Sequence, residues 1–472
     1  MRRARPGAAR AAAATITLAA LAACSLAPDY APPAVPAAAA FKEAQGWAAA
    51  TPLDTAPRGA WWEGFGDPVL TGLETRAEAA SPTIAAAIAR YDQALAIADR
   101  ADAERLPTVS AGADLSRERA SSRRPLARGN GGTYTNRTLG GSFGWEVDLW
   151  GRLRDNARAG RADAAASAAD LASARLSLHA AVADTYFRLR GLDAEAELLR
   201  QTTAAYARAF ELTDIRHSGG IASGLDTSRA QSQLSDARAQ LATVALDRAT
   251  AEHQLAALVG EAPAGFAIVP VTGQLEPPRV PAGTPSQLLQ RRPDIAAAER
   301  RMFAANARIG GAKAAWFPLV TLGASGGYQS AGGGLLASAA SYWALGPLSL
   351  AAPLFDGGRR NADIRRARAD FAEAAADYRG TVLTAFREVE DGLAAARHLA
   401  DAEREQQTAA RAAAKTTDLA LIRYRDGASD YLEVVVAQTA GLIAERSALA
   451  LRTQRLQATT AIVRAIGGGA PA

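Results

Sequence analysis

Two Gly-x-Ser-x-Gly strings are the residues in this chain whose spacing most resembles reactive chemistry: Gly140-Gly141-Ser142-Phe143-Gly144 and Gly323-Ala324-Ser325-Gly326-Gly327. In a hydrolase such a string sits on a sharp strand-to-helix turn, which lifts the serine hydroxyl toward a histidine and an acid. Here both strings lie inside runs where small or polar residues alternate with apolar ones, and that alternation alone produces them. The histidines, His179, His217, His253 and His398, are scattered along helical patterns with no second ligand at metal spacing. The Gly-rich stretch Gly129-Asn130-Gly131-Gly132 runs into Thr133-Tyr134 and reads as an exposed loop between strands, not a phosphate cradle. Stretches such as Asp363-Ile364-Arg365-Arg366 have the spacing of a solvated, ion-paired helix face. The residues therefore point to no catalytic group, no metal site and no cofactor.

The elements that carry these residues occur twice. Strand-like alternation is expected over about 107–118 and 135–148, and again over about 318–330 and 342–354, where Pro347 and Pro353 mark an edge or a bend. In the second strand Leu139, Gly141, Phe143, Trp145 and Val147 alternate with Thr138, Gly140, Ser142, Gly144, Glu146 and Asp148. Such ten-residue patterns suit strands with lipid on one side and water on the other, or half-buried strands of a soluble sandwich. Helices are expected over about 68–104 (broken at Ser81-Pro82), 152–217 and 225–260, then over about 293–313, 359–425 and 432–466. The two longest runs contain no proline and are dominated by Ala, Leu, Arg, Asp and Glu; each would span roughly 100 Å, which suggests a coiled-coil-like assembly.

The hairpin turns repeat as well. Arg216, Gly220, Leu225, Asp226, Ala230 and Gln231 return as Arg423, Gly427, Leu432, Glu433, Ala437 and Gln438, each 207 positions later. Ser223 before Asp226 and Asp430 before Glu433 both fit a capping-box spacing. The chain thus divides into a first repeat at 61–262, a Pro/Gly-rich connector at 263–285 and a second repeat at 286–472.

The N-terminus reads as an export signal at 1–23: Arg2, Arg3, Arg5 and Arg10 precede an apolar stretch from Ala11 to Ala23 that is too short to span a membrane. It ends in Leu21-Ala22-Ala23-Cys24, which resembles the lipobox of bacterial lipoproteins and implies acylation of Cys24; a non-Asp residue at Ser25 favours the outer membrane in that pattern. Residues 24–60, rich in Pro and Ala, read as a lipidated tether. Cys24 is the one cysteine, so no disulfide holds the exported chain together. The formal charge is +5, but four positive charges sit in the signal, leaving the mature chain near +1. No basic run with interleaved aromatics points to nucleic acid. Aromatic residues make up only 6% of the chain, which argues against a core built on large rings and for helices brought close by alanine.

Four strands cannot close a sheet in lipid, where every backbone N–H and C=O needs a partner and the smallest closures use about eight strands. If the strands are in a membrane, several subunits must share one barrel, and identical subunits meeting head-to-tail close naturally into a ring.

At this point the motifs resemble a known family. Trp61-Trp62-Glu63-Gly64-Phe65-Gly66-Asp67-Pro68-Val69-Leu70 is similar to the opening of the outer-membrane factors, the TolC-like efflux ducts. Arg291-Arg292-Pro293-Asp294-Ile295, Ala298-Glu299, Asn306-Ala307, Ile309-Gly310 and Phe317-Pro318 resemble its lipoprotein, NodT-like branch, as do Asp29-Tyr30 and Pro32. The resemblance implies a mixed α and β membrane protein: a homotrimer sharing a twelve-stranded outer-membrane β-barrel that continues into a long periplasmic α-helical barrel. It implies a passive, non-enzymatic exit duct of a tripartite efflux system, passing small molecules such as drugs from an inner-membrane transporter, often of the resistance–nodulation–division type, through a periplasmic adaptor. By the same resemblance the adaptor docks at the tips, at Gly219, Gly220, Ser223 and Asp226 and at Gly427, Asp430 and Glu433.

One stretch departs from the family. Many relatives carry an acid and an arginine after the second tip that help hold the resting pore closed, whereas this chain reads Val435-Val436-Ala437-Gln438-Thr439. A constriction is therefore expected at Asp418, Asp430, Leu432 and Val436. The alternatives are a conduit of a protein-secretion system, a periplasmic coiled-coil adaptor or scaffold lipoprotein, and, most weakly, a surface hydrolase using Ser142 or Ser325.

Overall fold

Proline and glycine punctuate this chain at the places where its helices begin and end. A computed structural model describes residues 25–34, 41–42, 59–119, 121, 133–273, 275–278, 291–330 and 340–469; the expected signal at 1–23, Cys24 and part of the connector lie outside the described residues. Helix α1, Pro68–Ala80, starts on a proline and is capped by Asp67, whose carboxylate accepts from the Val69 and Leu70 amides. Ser81 breaks it, and Pro82 opens α2, Pro82–Ala103. Strands β1, Thr108–Arg119, and β2, Thr133–Glu146, follow, then α3, Arg152–Ser218, and α4, Gly224–Leu258. The second series runs α5, Pro293–Ala314; β3, Leu319–Ser330; β4, Ala340–Ala351; α6, Arg359–Arg425; and α7, Tyr431–Ala465. Both long helices have 67 residues and both returning helices have 35.

The strands form one antiparallel sheet in the order β1-β2-β3-β4, leaving β1 and β4 as its edges. Strand β4 ends at Ala351, short of the expected 354, because Pro353 has no N–H to continue a ladder. The register also slips between Leu322 and Ala324, where Gly346-Pro347 takes up the extra residue as a bulge on this edge strand.

The compact units do not coincide with the two sequence repeats. One comprises Met1–Pro33, Arg90–Ala168 and Ala297–Tyr378; the other comprises Ala34–Ala89, Ala169–Ala296 and Arg379–Ala472. Each therefore draws on both halves of the sequence, because the long helices α3 and α6 run through both units.

In the first unit small residues set the helix spacing. Ala159 and Ala162 of α3 pack with Ala304 and Ala307 of α5, and a Cβ on Gly160 would come within 3.3 Å of the Ala98 backbone. Residues 25–34 are no free tether. The Ser25 hydroxyl donates to both carboxylate oxygens of buried Asp155 (2.8 and 2.9 Å), the Asn306 amide donates to the Pro28 carbonyl, and the Tyr30 hydroxyl donates to Glu299 at 2.6 Å. Burial raises the Asp155 carboxyl pKa, partly offset by the Ser25 bond. Gly310 lets the arm pass, since a Cβ there would meet Asp155 and the Ala27 amide.

The second unit holds most of the large fully buried side chains among the described residues, including Leu70, Tyr186, Phe187, Leu189, Leu199 and Leu255, while Met302 lies in the first. The sequence motifs are built into it. Asp67, besides capping α1, accepts from the Tyr186 hydroxyl (2.7 Å) and the Arg190 guanidinium (2.6 Å), while Arg190 also donates to the Gly273 carbonyl of the connector. Arg292 donates to Asp294, to Glu388 and to the Ala465 carbonyl at the end of α7.

Candidate functional site

The sheet and the two helix-hairpin tips are the places where the fold can act, and each is built from short-range rules. In the sheet, the register aligns one side chain in two from all four strands on a single face. That face carries Val109, Ala111, Ala113 and Leu115 of β1; Leu139, Gly141 and Phe143 of β2; Leu322, Ala324 and Tyr328 of β3; and Trp343, Leu345, Leu348 and Leu350 of β4. Its large apolar side chains stand out from the chain: Val109 is 80% exposed, Trp343 77% and Leu345 83%. In water an apolar surface of this kind is unstable, so it faces something apolar.

The opposite face is polar and small. Ser110, Gly112, Asp114, Ser116, Thr138, Gly140, Ser142, Gly144, Thr321, Gly323, Ser325 and Gln329 share it. Its side chains bond to one another: the Tyr134 hydroxyl donates to Glu118 at 3.0 Å and the Gln329 amide to Asn136 at 2.9 Å. Ser142 and Ser325, at the centres of the two Gly-x-Ser-x-Gly strings, are direct partners across β2 and β3 in mid-strand. Neither stands on a strand-to-helix turn. Gly140 and Gly327 are also partners, and the Tyr342 ring crosses this face over them: a Cβ on Gly140 would lie 2.5 Å from its hydroxyl. A Cβ on Gly327 would lie 2.2 Å from the Leu139 carbonyl, so the strands approach only because both are glycine.

At the first tip, α3 ends and Gly220 takes a left-handed conformation (φ +75°), with Gly219 before it donating its amide to the Ile215 carbonyl. Ser223 caps α4 through the Asp226 amide, and Asp226 accepts in return from the Ser223 amide and hydroxyl. At the second tip Gly427 (φ +73°) plays the same part, and Asp430 caps α7 through the Glu433 amide at 3.2 Å. Glu433 does not reciprocate; it pairs with Arg423 at 3.4 Å.

Packing beneath the turns involves residues the motifs did not single out. Tyr424 and Tyr431 meet edge to face at 5.2 Å, buried with Ala230, Ala420, Val434 and Ala437, and the Arg216 guanidinium lies 4.7 Å from the Tyr424 ring while donating to its carbonyl. The signal was available: two tyrosines seven apart around a turn share one side of a hairpin. Of the residues expected to constrict a pore, Leu432 and Val436 lie one turn apart on α7 and are exposed, as are Asp418 and Asp430.

The histidines take separate roles. His217 contacts the Ala222 carbonyl at the tip, whereas His179 sits between two carboxylates, 2.7 Å from Glu74 and 3.2 Å from Glu78, with the Trp62 ring stacked on it at 4.5 Å. Glu74 is fully buried, and burial pushes its pKa up to about 7 against the pull of His179. Sequence spacing held a clue here too, since Glu74 falls in register with Leu70, Leu73 and Ala77 on the core face of α1. Among the described residues no group of three or more His, Cys, Asp or Glu could hold a metal.

Comparison with known proteins adds a further set of observations. The family profile "Outer membrane efflux protein" matches residues 73–261 and 284–468. The chain is 34% identical over 457 residues to outer membrane protein OprJ of Pseudomonas aeruginosa, covering 95% of this chain and 94% of that one. It is 32% identical over 463 residues to the toluene efflux pump outer membrane protein TtgF of Pseudomonas putida, covering 95% of each. Its fold is similar to the crystal structure of a membrane protein from Pseudomonas aeruginosa, with a TM-score of 0.85 and 32% identity over 94% of this chain and 100% of that one.

Proposed function

Because the chain belongs to the outer membrane efflux protein family and serves as an efflux duct in the outer membrane, we propose that it acts as a homotrimer. Three four-stranded sheets would close one twelve-stranded barrel, edge β1 of each meeting edge β4 of the next. The observation that carries this reading is the sheet itself, apolar on one face, polar on the other, with two edges unpaired within the chain. Hydrocarbon suits the first face, a water-filled lumen suits the second, and only closure between chains satisfies the edges.

The remaining parts follow from that arrangement. The 67-residue helices of three chains form a long periplasmic α-helical barrel, and the two sequence repeats, 61–262 and 286–472, supply equivalent halves of its wall. Cys24, after a signal at 1–23, carries the acyl anchor. The tips at Gly219, Gly220, Ser223 and Asp226, and at Gly427, Asp430 and Glu433, dock a periplasmic adaptor, which joins the duct to an inner-membrane transporter of the resistance–nodulation–division type. Leu432 and Val436, with Asp418 and Asp430, form the constriction, which closes by apolar contact across the trimer axis in place of a charged lock. The duct performs no chemistry. TtgF is named for a toluene efflux pump; we propose small organic molecules as cargo here as well, selected by the pump.

The test is reconstitution of the acylated chain in planar bilayers with mass measurement in detergent. The expected result is a trimer with stepwise conductance. A monodisperse monomer, soluble without detergent and electrically silent, overturns the reading, and a trimer that stays silent even with Leu432→Ser/Val436→Ser, which would open an apolar constriction, favours an adaptor or scaffold instead.

A further inference from the structure

The charged residues of the sheet are sorted by face. Arg117 and Arg119 of β1 and Arg137 of β2 fall on the apolar face, since their register positions continue the Val109–Leu115 and Leu139–Phe143 rows. Asp114, Glu118 and Glu146 fall on the polar face, and the Ser116–Glu118 and Tyr134–Glu118 hydrogen bonds lie there with them. Among the described residues of the strands, then, the apolar face holds the arginines and no acid.

The arginines are also sorted by height. Helices α2, α3, α5 and α6 join the strands at the Thr108, Glu146, Leu319 and Ala351 ends, so Arg117, Arg119 and Arg137 lie toward the opposite end. Arg137 is level with Leu115, and Arg117 and Arg119 lie beyond it, level with Thr135 and Thr133. From Val109 to Arg117 the strand climbs about 27 Å along its own axis. At the tilt of roughly 40° usual for membrane barrels, that is about 20 Å along the membrane normal, near the upper edge of an apolar band roughly 25 Å tall. Closing the barrel through its edges leaves this face outside. Guanidinium groups near the upper edge of a lipid-facing band come within side-chain reach of headgroup depth, Arg137 from lower than Arg117 and Arg119, and their planar forks match phosphate oxygens two at a time.

We propose that Arg117, Arg119 and Arg137 form a binding surface for a phosphorylated glycolipid of the outer leaflet, the class to which lipid A belongs. The proposal rests on the outer-membrane duct reading, which directs the helices to the periplasm and this strand end to the outer leaflet. Apolar side chains of the same face, Leu115, Leu139 and Tyr328, would contact its acyl chains while the arginines hold its phosphates.

Full-length acylated protein in detergent is incubated separately with bisphosphorylated lipid A, monophosphorylated lipid A and phosphatidylglycerol, and bound lipid is counted by native mass spectrometry. Bisphosphorylated lipid A is expected to bind most tightly, and Arg117→Gln/Arg119→Gln/Arg137→Gln to weaken it by about tenfold or more. If the triple variant yields no trimer, Arg137→Gln alone and the Arg117→Gln/Arg119→Gln pair are read instead, each with a smaller loss. Equal retention by parent and variants overturns the proposal, as does equal affinity for all three lipids. Displacement by millimolar inorganic phosphate also overturns it, because the site would then be one for a free ion. Conductance in phosphatidylcholine bilayers is measured alongside: parent and variant should both conduct. Failure of both, also when Leu432→Ser/Val436→Ser is added to open the constriction, defeats the duct reading, whereas conductance by both with unchanged lipid binding defeats the lipid surface alone.

Discussion

Residues 152–258 and 359–465 contain the same two helices at the same lengths, displaced by 207 positions, yet they close their ends with different chemistry. At the first tip His217 faces Gly224, whose added Cβ would meet the imidazole at 3.6 Å, and the corresponding positions of the second tip are the packed pair Tyr424 and Tyr431. The first cap is a hydroxyl and a carboxylate that serve each other. The second is two carboxylates, which repel, so Glu433 turns to Arg423. Backbone symmetry thus needs only equal helix lengths and a left-handed glycine at each turn, leaving the side chains of the two tips free to diverge. A partner that reads side chains meets two different surfaces.

The far ends of the hairpins show what cannot diverge. Helices α4 and α7 are followed by Gly260 (φ +75°) and Gly467 (φ +88°), again 207 positions apart. A Cβ on Gly260 would lie 2.3 Å from the Ala80 carbonyl oxygen, and one on Gly467 would lie 2.8 Å from that of Arg291. Alanine at either adds left-handed strain to a collision with backbone that cannot swing aside. Gly260→Ala should cost about 3–5 kcal/mol and Gly467→Ala about 2–3 kcal/mol. Thermal melting of the helical circular dichroism signal, with the yield of assembled protein, checks both. Equal, small effects at the two sites would mean that the chain relaxes at its helix ends, and the glycines are then a convenience.

Much of this was legible in advance, for a physical reason. Proline-free, Ala-rich runs bounded by glycine are expected over 152–217 and 359–425, and helices span Arg152–Ser218 and Arg359–Arg425. Period-two alternation is a local property, so the four strands could be read without knowing their neighbours. Which faces of the helices meet could not be read. An Ala-rich helix has no dominant apolar stripe, and so its sequence does not say that Asp67 will meet Arg190, 123 positions away, or Glu74 meet His179, 105 away. The compact units were hidden for the same reason: they are defined by contacts between helices, whereas repeats are defined along the chain. The docking of Ser25 on Asp155 was hidden as well, since a Pro/Ala-rich composition describes a tether whether or not one hydroxyl finds a buried partner.

The two halves also differ in the polar groups they bury. The first half buries Glu74 against His179, whereas the second buries Arg292 between Asp294 and Glu388. Burial works against the charge on Arg292, but its hydrogen bonds to Asp294 and Glu388 outweigh that and hold its pKa above the ordinary value, so it stays charged throughout. Glu74 behaves otherwise. With its pKa raised to about 7, the folded chain holds a proton that the unfolded chain releases near 4.5. Stability from this group is therefore greatest at the acid end of that window and declines as pH rises through about 7. The apparent melting temperature of the parent should fall between about pH 5 and pH 8, by an amount equivalent to about 2 kcal/mol. Glu74→Gln should flatten the profile, and Glu388→Gln should lower it without flattening it. A flat parent profile would sink the assignment, as would an identical slope in Glu74→Gln.

The smallest expected effects lie at the tips, and they test the divergence most directly. Ser223→Ala removes a neutral cap and Asp430→Ala a charged one, each costing about 1 kcal/mol. The difference lies in salt. A carboxylate at a helix N-terminus gains from the helix dipole, and that gain is screened by added electrolyte, whereas a hydroxyl cap is nearly indifferent to it. Hydrogen exchange at the amides of Asp226 and Glu433, the two that the caps hold, reads each site separately. Asp430→Ala should lose most of its penalty at about 1 M salt, where charges are screened within a few ångströms. Ser223→Ala should keep its own, because the hydroxyl it removes from the Asp226 amide carries no charge for salt to screen. Exchanging the caps, Ser223→Asp with Asp430→Ser, should move the salt sensitivity from the second tip to the first. If the sensitivity stays where it was, it belongs to Arg423 and Glu433 rather than to the cap, and the contrast between the tips lies in their ion pair.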